Sequence, residues 1–185
     1  MIAERLLTLR ELNRATLARQ FLLERVSCTP LEVLGRLVGM QAQNHNAPYI
    51  GLWTRLQSFQ RAELTELLES RQVVKASLMR STLHLMTAND YVAFRLALQP
   101  AMKHDMLRPF FGKDAHSLES EQFTSLLRAY LQERPRTSAE LLARFRAYFP
   151  GLGSGYLSDA MRAHLPLVQI PPSGTWGFTG KPAHT

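Results

Sequence analysis

Val73-Val74-Lys75-Ala76-Ser77-Leu78-Met79-Arg80-Ser81-Thr82-Leu83-His84-Leu85-Met86 is the stretch on which the fold turns. In its second half apolar Leu83 and Leu85 alternate with polar Thr82 and His84, the two-residue period of a strand with one buried face. Before it the chain reads as helix. Thr8-Leu9-Arg10-Glu11 and Thr29-Pro30-Leu31-Glu32 both have the form of a capping box, a hydroxyl and a carboxylate three residues apart that satisfy each other's orphan amides. In the second box proline takes the first helical position, where its missing N–H costs nothing. One helix is therefore predicted with Leu12, Ala15 and Leu22 on its inner side and Arg10, Arg14 and Arg25 available to solvent, and a second running to about Val38 and ended by Gly39. A third is predicted from about Pro48 to Leu56, with Tyr49, Leu52, Trp53 and Leu56 as core residues, and a fourth is built on Leu64, Leu67 and Leu68.

Short helices followed by a small strand ribbon is the order of a winged helix, and the second half repeats the plan. Thr87-Ala88-Asn89-Asp90 caps a longer helix with Tyr91, Phe94 and Leu98 on one face, interrupted or kinked near Pro100. Arg108 to Ser117, with Pro109 and Gly112, reads as a linker. Phe123, Leu126, Leu127, Tyr130 and Leu131 then mark an amphipathic helix, Thr137-Ser138-Ala139-Glu140 caps the next, and Tyr156 to His164 packs through Leu157, Ala160 and Met161. Leu167-Val168-Gln169-Ile170 and Thr175-Trp176-Gly177-Phe178, separated by Pro171-Pro172-Ser173-Gly174, are expected to pair as a hairpin. The expected fold is mainly α with small β-hairpins, two tandem winged helix-turn-helix units over residues 1–107 and 118–185.

Between the second and third helices lies Gln41-Ala42-Gln43, expected in a loop. Two glutamines one residue apart present two amides, each a donor and an acceptor, and neither titrates near neutral pH. Such a pair can hold a water molecule but cannot deprotonate it, so any chemistry here needs a leaving group that is already activated. The bland alternative is a pair of loop amides that satisfy nearby backbone groups.

Composition narrows the setting. Hydrophobic residues make up 45% and charged residues 20% of the 185, without a low-complexity tract, so a globular protein is expected. No apolar run approaches the ~18 residues of a membrane span. Met1-Ile2-Ala3-Glu4-Arg5 passes at once into amphipathic sequence, unlike a secretory signal, which predicts a cytoplasmic location; a monomer is expected. Cys28, the only cysteine, reads as a small buried hydrophobe. The six histidines never fall at the i, i+4 spacing of a helical metal site, so no metal is expected.

The net charge is +7, and arginine supplies 18 of the 22 basic residues. Double-stranded DNA is the natural partner, because cationic side chains gain affinity by releasing counterions from phosphates and arginine contacts them bidentately. A solvated arginine-rich surface is the alternative. In helix-turn-helix proteins the third helix enters the major groove and the hairpin touches the backbone, which selects Tyr156, Ser158 and Arg162 in the second unit, with Lys181 beyond its hairpin. Asp159 would be repelled by phosphate and is expected to cap or to pair with Arg162. In the first unit Arg80, Thr82 and His84 could project from one sheet face toward DNA; a salt bridge is the alternative for Arg80.

Val38-Gly39-Met40-Gln41-Ala42-Gln43, followed by Ala47-Pro48-Tyr49-Ile50-Gly51-Leu52-Trp53-Thr54-Arg55-Leu56, resembles the AlkZ-like winged-helix DNA glycosylases. Arg80-Ser81-Thr82-Leu83-His84-Leu85-Met86-Thr87 and Pro171-Pro172-Ser173-Gly174-Thr175-Trp176-Gly177 look like that family's later motifs, in order. The resemblance implies a DNA-repair enzyme that removes alkylated or crosslinked bases by hydrolysing the N-glycosidic bond without metal or cofactor. Its catalytic motif is glutamine, an apolar residue, then glutamine or aspartate; Gln41 and Gln43 match the two catalytic positions. Members of that family are about twice this long, with a third winged helix and a C-terminal β domain. A non-catalytic winged-helix regulator is the other reading.

Overall fold

The computed structural model describes residues 6–106 and 121–185. Eight α-helices and one antiparallel six-stranded sheet are found among them. The expected linker, Arg108 to Ser117, lies outside the described residues.

Three of the helices begin where the sequence places a capping box. Helices α1 (Leu9–Arg19), α2 (Pro30–Leu37) and α7 (Ser138–Arg146) each show the reciprocal bonds between a threonine hydroxyl and a glutamate three residues on. Helix α1 nevertheless buries none of its residues. Leu12 and Leu22, expected inside, are 46% and 42% exposed. Helix α2 ends with Val38 itself in the left-handed region at φ 64°, one residue before Gly39.

Strand β1 (Met40–Gln41), α3 (Ala47–Trp53), α4 (Arg61–Glu69), β2 (Val73–Ser77) and β3 (Leu83–Thr87) complete the first half, with a 3-10 turn at Met79–Ser81 between the last two. Tyr49, Leu52 and Leu56 are buried as predicted, whereas Trp53 is 54% exposed. Helix α5 (Ala88–Met106) runs through Pro100 without interruption. Then come α6 (Glu121–Glu133), β4 (Arg136–Thr137), α7, α8 (Ser154–His164), β5 (Val168–Gln169) and β6 (Ala183–His184).

The two halves share one topology. In the first, β1 follows α2, and β2 and β3, which come after α4, complete the local order β1-β3-β2; in the second, β4 follows α6, and β5 and β6, which come after α8, give the order β4-β6-β5. Strands β2 and β5 pair through Lys75 with Gln169 and Ala76 with Val168, which makes the sheet continuous across both halves. Short strand ribbons thus become a single mixed α/β framework rather than separate hairpins.

The second ribbon differs from expectation. Leu167–Ile170 does not pair with Thr175–Phe178; β5 pairs with β2 and β6 instead. Gly174 and Gly177 sit at φ 97° and 72°, outside the extended region a strand needs, and the segment they bend folds back onto Asn44–Asn46. The returning strand forms only at Ala183–His184.

Each half has its own apolar cluster. Val33, Leu34, Ala42, Tyr49, Leu52 and Leu64 belong to the first, with Cys28 partly buried against it. Met102, Phe123, Leu127, Phe145, Leu157 and Met161 belong to the second. Helix α5 joins them: Met102 enters the second cluster, and Arg95, 2% exposed, donates from Nη2 to the carbonyls of Arg162 (2.9 Å), Ala163 (3.2 Å) and Leu165 (3.0 Å). A guanidinium there complements the carbonyl end of α8.

Candidate functional site

Gln41 lies not in a loop but in the edge strand β1, opposite His84 of β3, and the extended path continues as Ala42 donates to the Leu83 carbonyl at 2.7 Å. Alternation then sets the site. Ala42 points into the first apolar cluster, fully buried, and the glutamines on either side of it are exposed. The apolar residue between two amides is thus the anchor that turns both outward.

The amides are not equivalent. The Gln43 side-chain carbonyl accepts from Leu83 N–H at 3.2 Å, so part of the bland reading holds; its NH2 group is left facing outward. The Gln41 amide has no hydrogen-bond partner among the described residues, and both its carbonyl and its NH2 are open to solvent. Neither side chain carries charge.

Beside Gln43 opens a shallow groove of about 540 Å³ lined by Asn44, His45, Asn46, Phe178 and Thr179 as well. No acidic or basic side chain other than the imidazole borders it. The far wall is the bent segment after β5. Gly177 N–H donates to the Asn46 side-chain carbonyl at 2.8 Å, Gly174 N–H donates to His45 Nδ1 at 3.1 Å, and Phe178 meets the His45 ring edge-on at 5.1 Å. Trp176 packs edge-on against Tyr49 with ring centres 5.6 Å apart and lies under Arg61. Three stretches far apart in sequence, 38–56, 80–87 and 171–177, therefore meet at one place.

Behind the groove lies a group that sequence reasoning missed. Lys75 in β2 is 1% exposed, and its Nζ reaches His45 Nδ1 at 3.0 Å. Burial pushes its ammonium down to about 8 from the usual lysine range. Partial burial, and secondarily the Lys75 charge, also hold the His45 imidazolium below its ordinary value. Lys75 heads a row of facing partners across four strands, Lys75–Gln169, Gln169–His184 and His184–Arg136, all buried. The only local hint was a lysine inside a β-prone run.

The expected DNA contacts divide. Arg80 is exposed in the turn between β2 and β3, at φ 53°, rather than on a strand face. Thr82 spends its hydroxyl on the Met79 carbonyl at 3.1 Å. His84 is 5% exposed, with Nδ1 2.9 Å from the Thr82 carbonyl, and Tyr156 is 7% exposed in the second cluster; both are core residues, because their positions on β3 and α8 face inward. Ser158 is half-buried, and Arg162 pairs with Asp159, as the spacing predicted. Lys181 is exposed just before β6. Among the described residues no group of three His, Cys, Asp or Glu could hold a metal ion, and no helix is long and apolar enough to cross a membrane.

The described residues thus form a mixed α/β framework that presents two uncharged amides at a sheet edge, Gln43 beside a polar groove. The family model described as DNA glycosylase AlkZ-like matches residues 34–185, and the chain belongs to that family. No curated protein sequence matches it. Among solved structures it is similar to Streptomyces sahachiroi DNA glycosylase AlkZ, at 23% identity with a TM-score of 0.67, over 91% of this chain and 46% of that one. At that identity the likeness is one of fold, and the chain spans less than half the length of that structure.

Proposed function

We propose that this chain carries the catalytic amides of a DNA-repair glycosylase acting on alkylated or crosslinked purines. The observation that carries the reading is the outward projection of Gln41 and Gln43 from one strand edge, on either side of buried Ala42, beside a groove of neutral polar groups. An N3- or N7-alkylated purine is cationic and departs as a neutral base. The C1′–N9 electron pair goes to the base, water adds to C1′, and the proton passes to solvent. What remains for the protein is to place the water and to stabilise an oxocarbenium-like sugar.

The hydrogen bonding divides that work. Gln43, with its carbonyl held by Leu83, offers N–H to one lone pair of the water. Gln41 takes a water hydrogen on its open carbonyl, and the second lone pair faces the sugar carbon. Normal bases, which leave poorly without protonation, are spared because neither amide is an acid. Residues 1–107 and 118–185 act as two winged-helix units joined through the sheet, with exposed Arg80 and Lys181, and Ser158 and Arg162 on α8, as phosphate contacts; binding is as a monomer.

The test is release of free base from a duplex containing N7-methylguanine. Gln43→Ala is expected to lower the single-turnover rate by about a hundredfold, the usual effect of losing one positioned donor, with only a small drop in melting temperature from the lost, exposed bond to Leu83. Equal release by wild type and variant refutes the assignment.

A further inference from the structure

His45 sits in the groove wall with one ring nitrogen spoken for. Lys75 Nζ and Gly174 N–H approach Nδ1 at 3.0 and 3.1 Å, and both bring hydrogens. Nδ1 must therefore be the unprotonated nitrogen, and the neutral ring carries its hydrogen on Nε2. No partner for Nε2 is found among the described residues, nor is it among the buried polar atoms that lack one, so this N–H opens to solvent where the ring lines the groove next to Gln43. Two elements hold the ring there: Phe178 edge-on at 5.1 Å and the Gly174 turn, whose N–H donates to Nδ1.

We propose that His45 is a further catalytic donor, a neutral Nε2–H that Lys75 and Gly174 hold in one tautomer to hydrogen-bond an acceptor atom of the departing alkylated purine. The proposal rests on the glycosylase reading above. An N7-alkylated guanine keeps N3 and O6 as acceptors, and as the glycosidic bond breaks the ring loses its positive charge and these atoms gain electron density. A donor aimed at them binds more tightly in the transition state than in the ground state, which is the requirement for lowering the barrier. Neutrality matters as much as position, since an imidazolium would repel both the cationic base and the developing oxocarbenium ion. Lys75 from β2 is the charged group that faces the ring; the 44–46 and 174–178 segments around it contribute none. The buried ammonium thus gains a use: it occupies Nδ1 and discourages a second proton.

His45→Phe, His45→Gln and wild type are compared in single-turnover base release from an N7-methylguanine duplex, alongside nitrogen NMR of histidine-labelled wild type. The Phe variant is expected to slow release about tenfold with DNA affinity within twofold, and the Gln variant, whose side-chain NH2 replaces Nε2–H, to recover most of that loss. The spectrum should show the Nε2–H tautomer, with the Nε2 signal displaced on adding the duplex. Equal rates for the Phe variant and wild type, or an Nδ1–H tautomer, overturn the proposal. If wild type releases no base, the glycosylase reading falls, and the His45 inference is judged on the spectrum: displacement of its Nε2 signal by the duplex supports a DNA-facing donor, and an unmoved signal overturns it.

Discussion

Replacing Lys75 by methionine isolates a single buried charge at the centre of the sheet. Lysine in the unfolded chain titrates near 10.5, and in the folded protein burial brings Lys75 to about 8. Between those two values the unfolded chain holds more protons, so the contribution of Lys75 to stability rises with pH across that window and is flat below it. The shift corresponds to up to about 3 kcal/mol, present as a penalty at pH 7 and largely relieved by pH 10. Methionine fills a similar volume and carries no charge, and Gly174 N–H still holds His45 Nδ1. Urea unfolding of both proteins at pH 7, 8, 9 and 10 should show the variant more stable at pH 7, with the gap closing by about 2 kcal/mol or more at pH 10. Tyrosines and other lysines titrate in both proteins and cancel in the difference. A gap that stays constant from pH 7 to 10 would refute the reasoning, since Lys75 would then titrate alike in the folded and unfolded chain.

Two further changes probe the frame around the site. Arg95→Leu removes a buried guanidinium from three carbonyls at the end of α8, and with net charge-assisted bonds of this kind should destabilise the chain by about 3 kcal/mol; a loss below about 1 kcal/mol in urea unfolding would show that α5 and α8 are held by apolar packing alone. Gly174→Ala places a side chain at φ 97° with its Cβ 3.4 Å from Lys75 Cδ, at a cost of about 1–2 kcal/mol. It should also loosen Trp176 from Tyr49, read as a red shift in tryptophan emission, and unchanged emission would argue that the turn is held without this glycine.

Much of the molecule is legible locally. The threonine and glutamate pairs at 8 and 11, 29 and 32, and 137 and 140 start helices because a cap is satisfied within one turn and needs no distant partner. Likewise the alternation from Thr82 to Leu85 marks β3 as a strand, although both of its faces prove to be covered, His84 being buried along with Leu85 and Met86. Gln41-Ala42-Gln43 was legible as a pair of neutral amides but was expected in a loop; the pairing of β1 with β3 is what makes the segment extended and puts both amides on one side.

Tertiary structure decided the rest. Strands β1, β4, β5 and β6 are two residues each, too short to hold a period, and exist only because a partner strand lies alongside. The pairing of β2 with β5 joins residues more than ninety positions apart, and no local pattern encodes that register. Tyr156 was expected to contact DNA from its place on the third helix of the second unit and His84 from its strand face, and the direction of their side chains, set by what packs on each side, buried both. The same holds in reverse for His45, whose tautomer depends on a lysine thirty residues away and a glycine beyond the second half's helices. Sequence alone thus determined where chains turn into helices and which residues could do chemistry, because caps and periodicity act over one turn or two. Which of those residues face the groove was settled by contacts between segments remote in the chain.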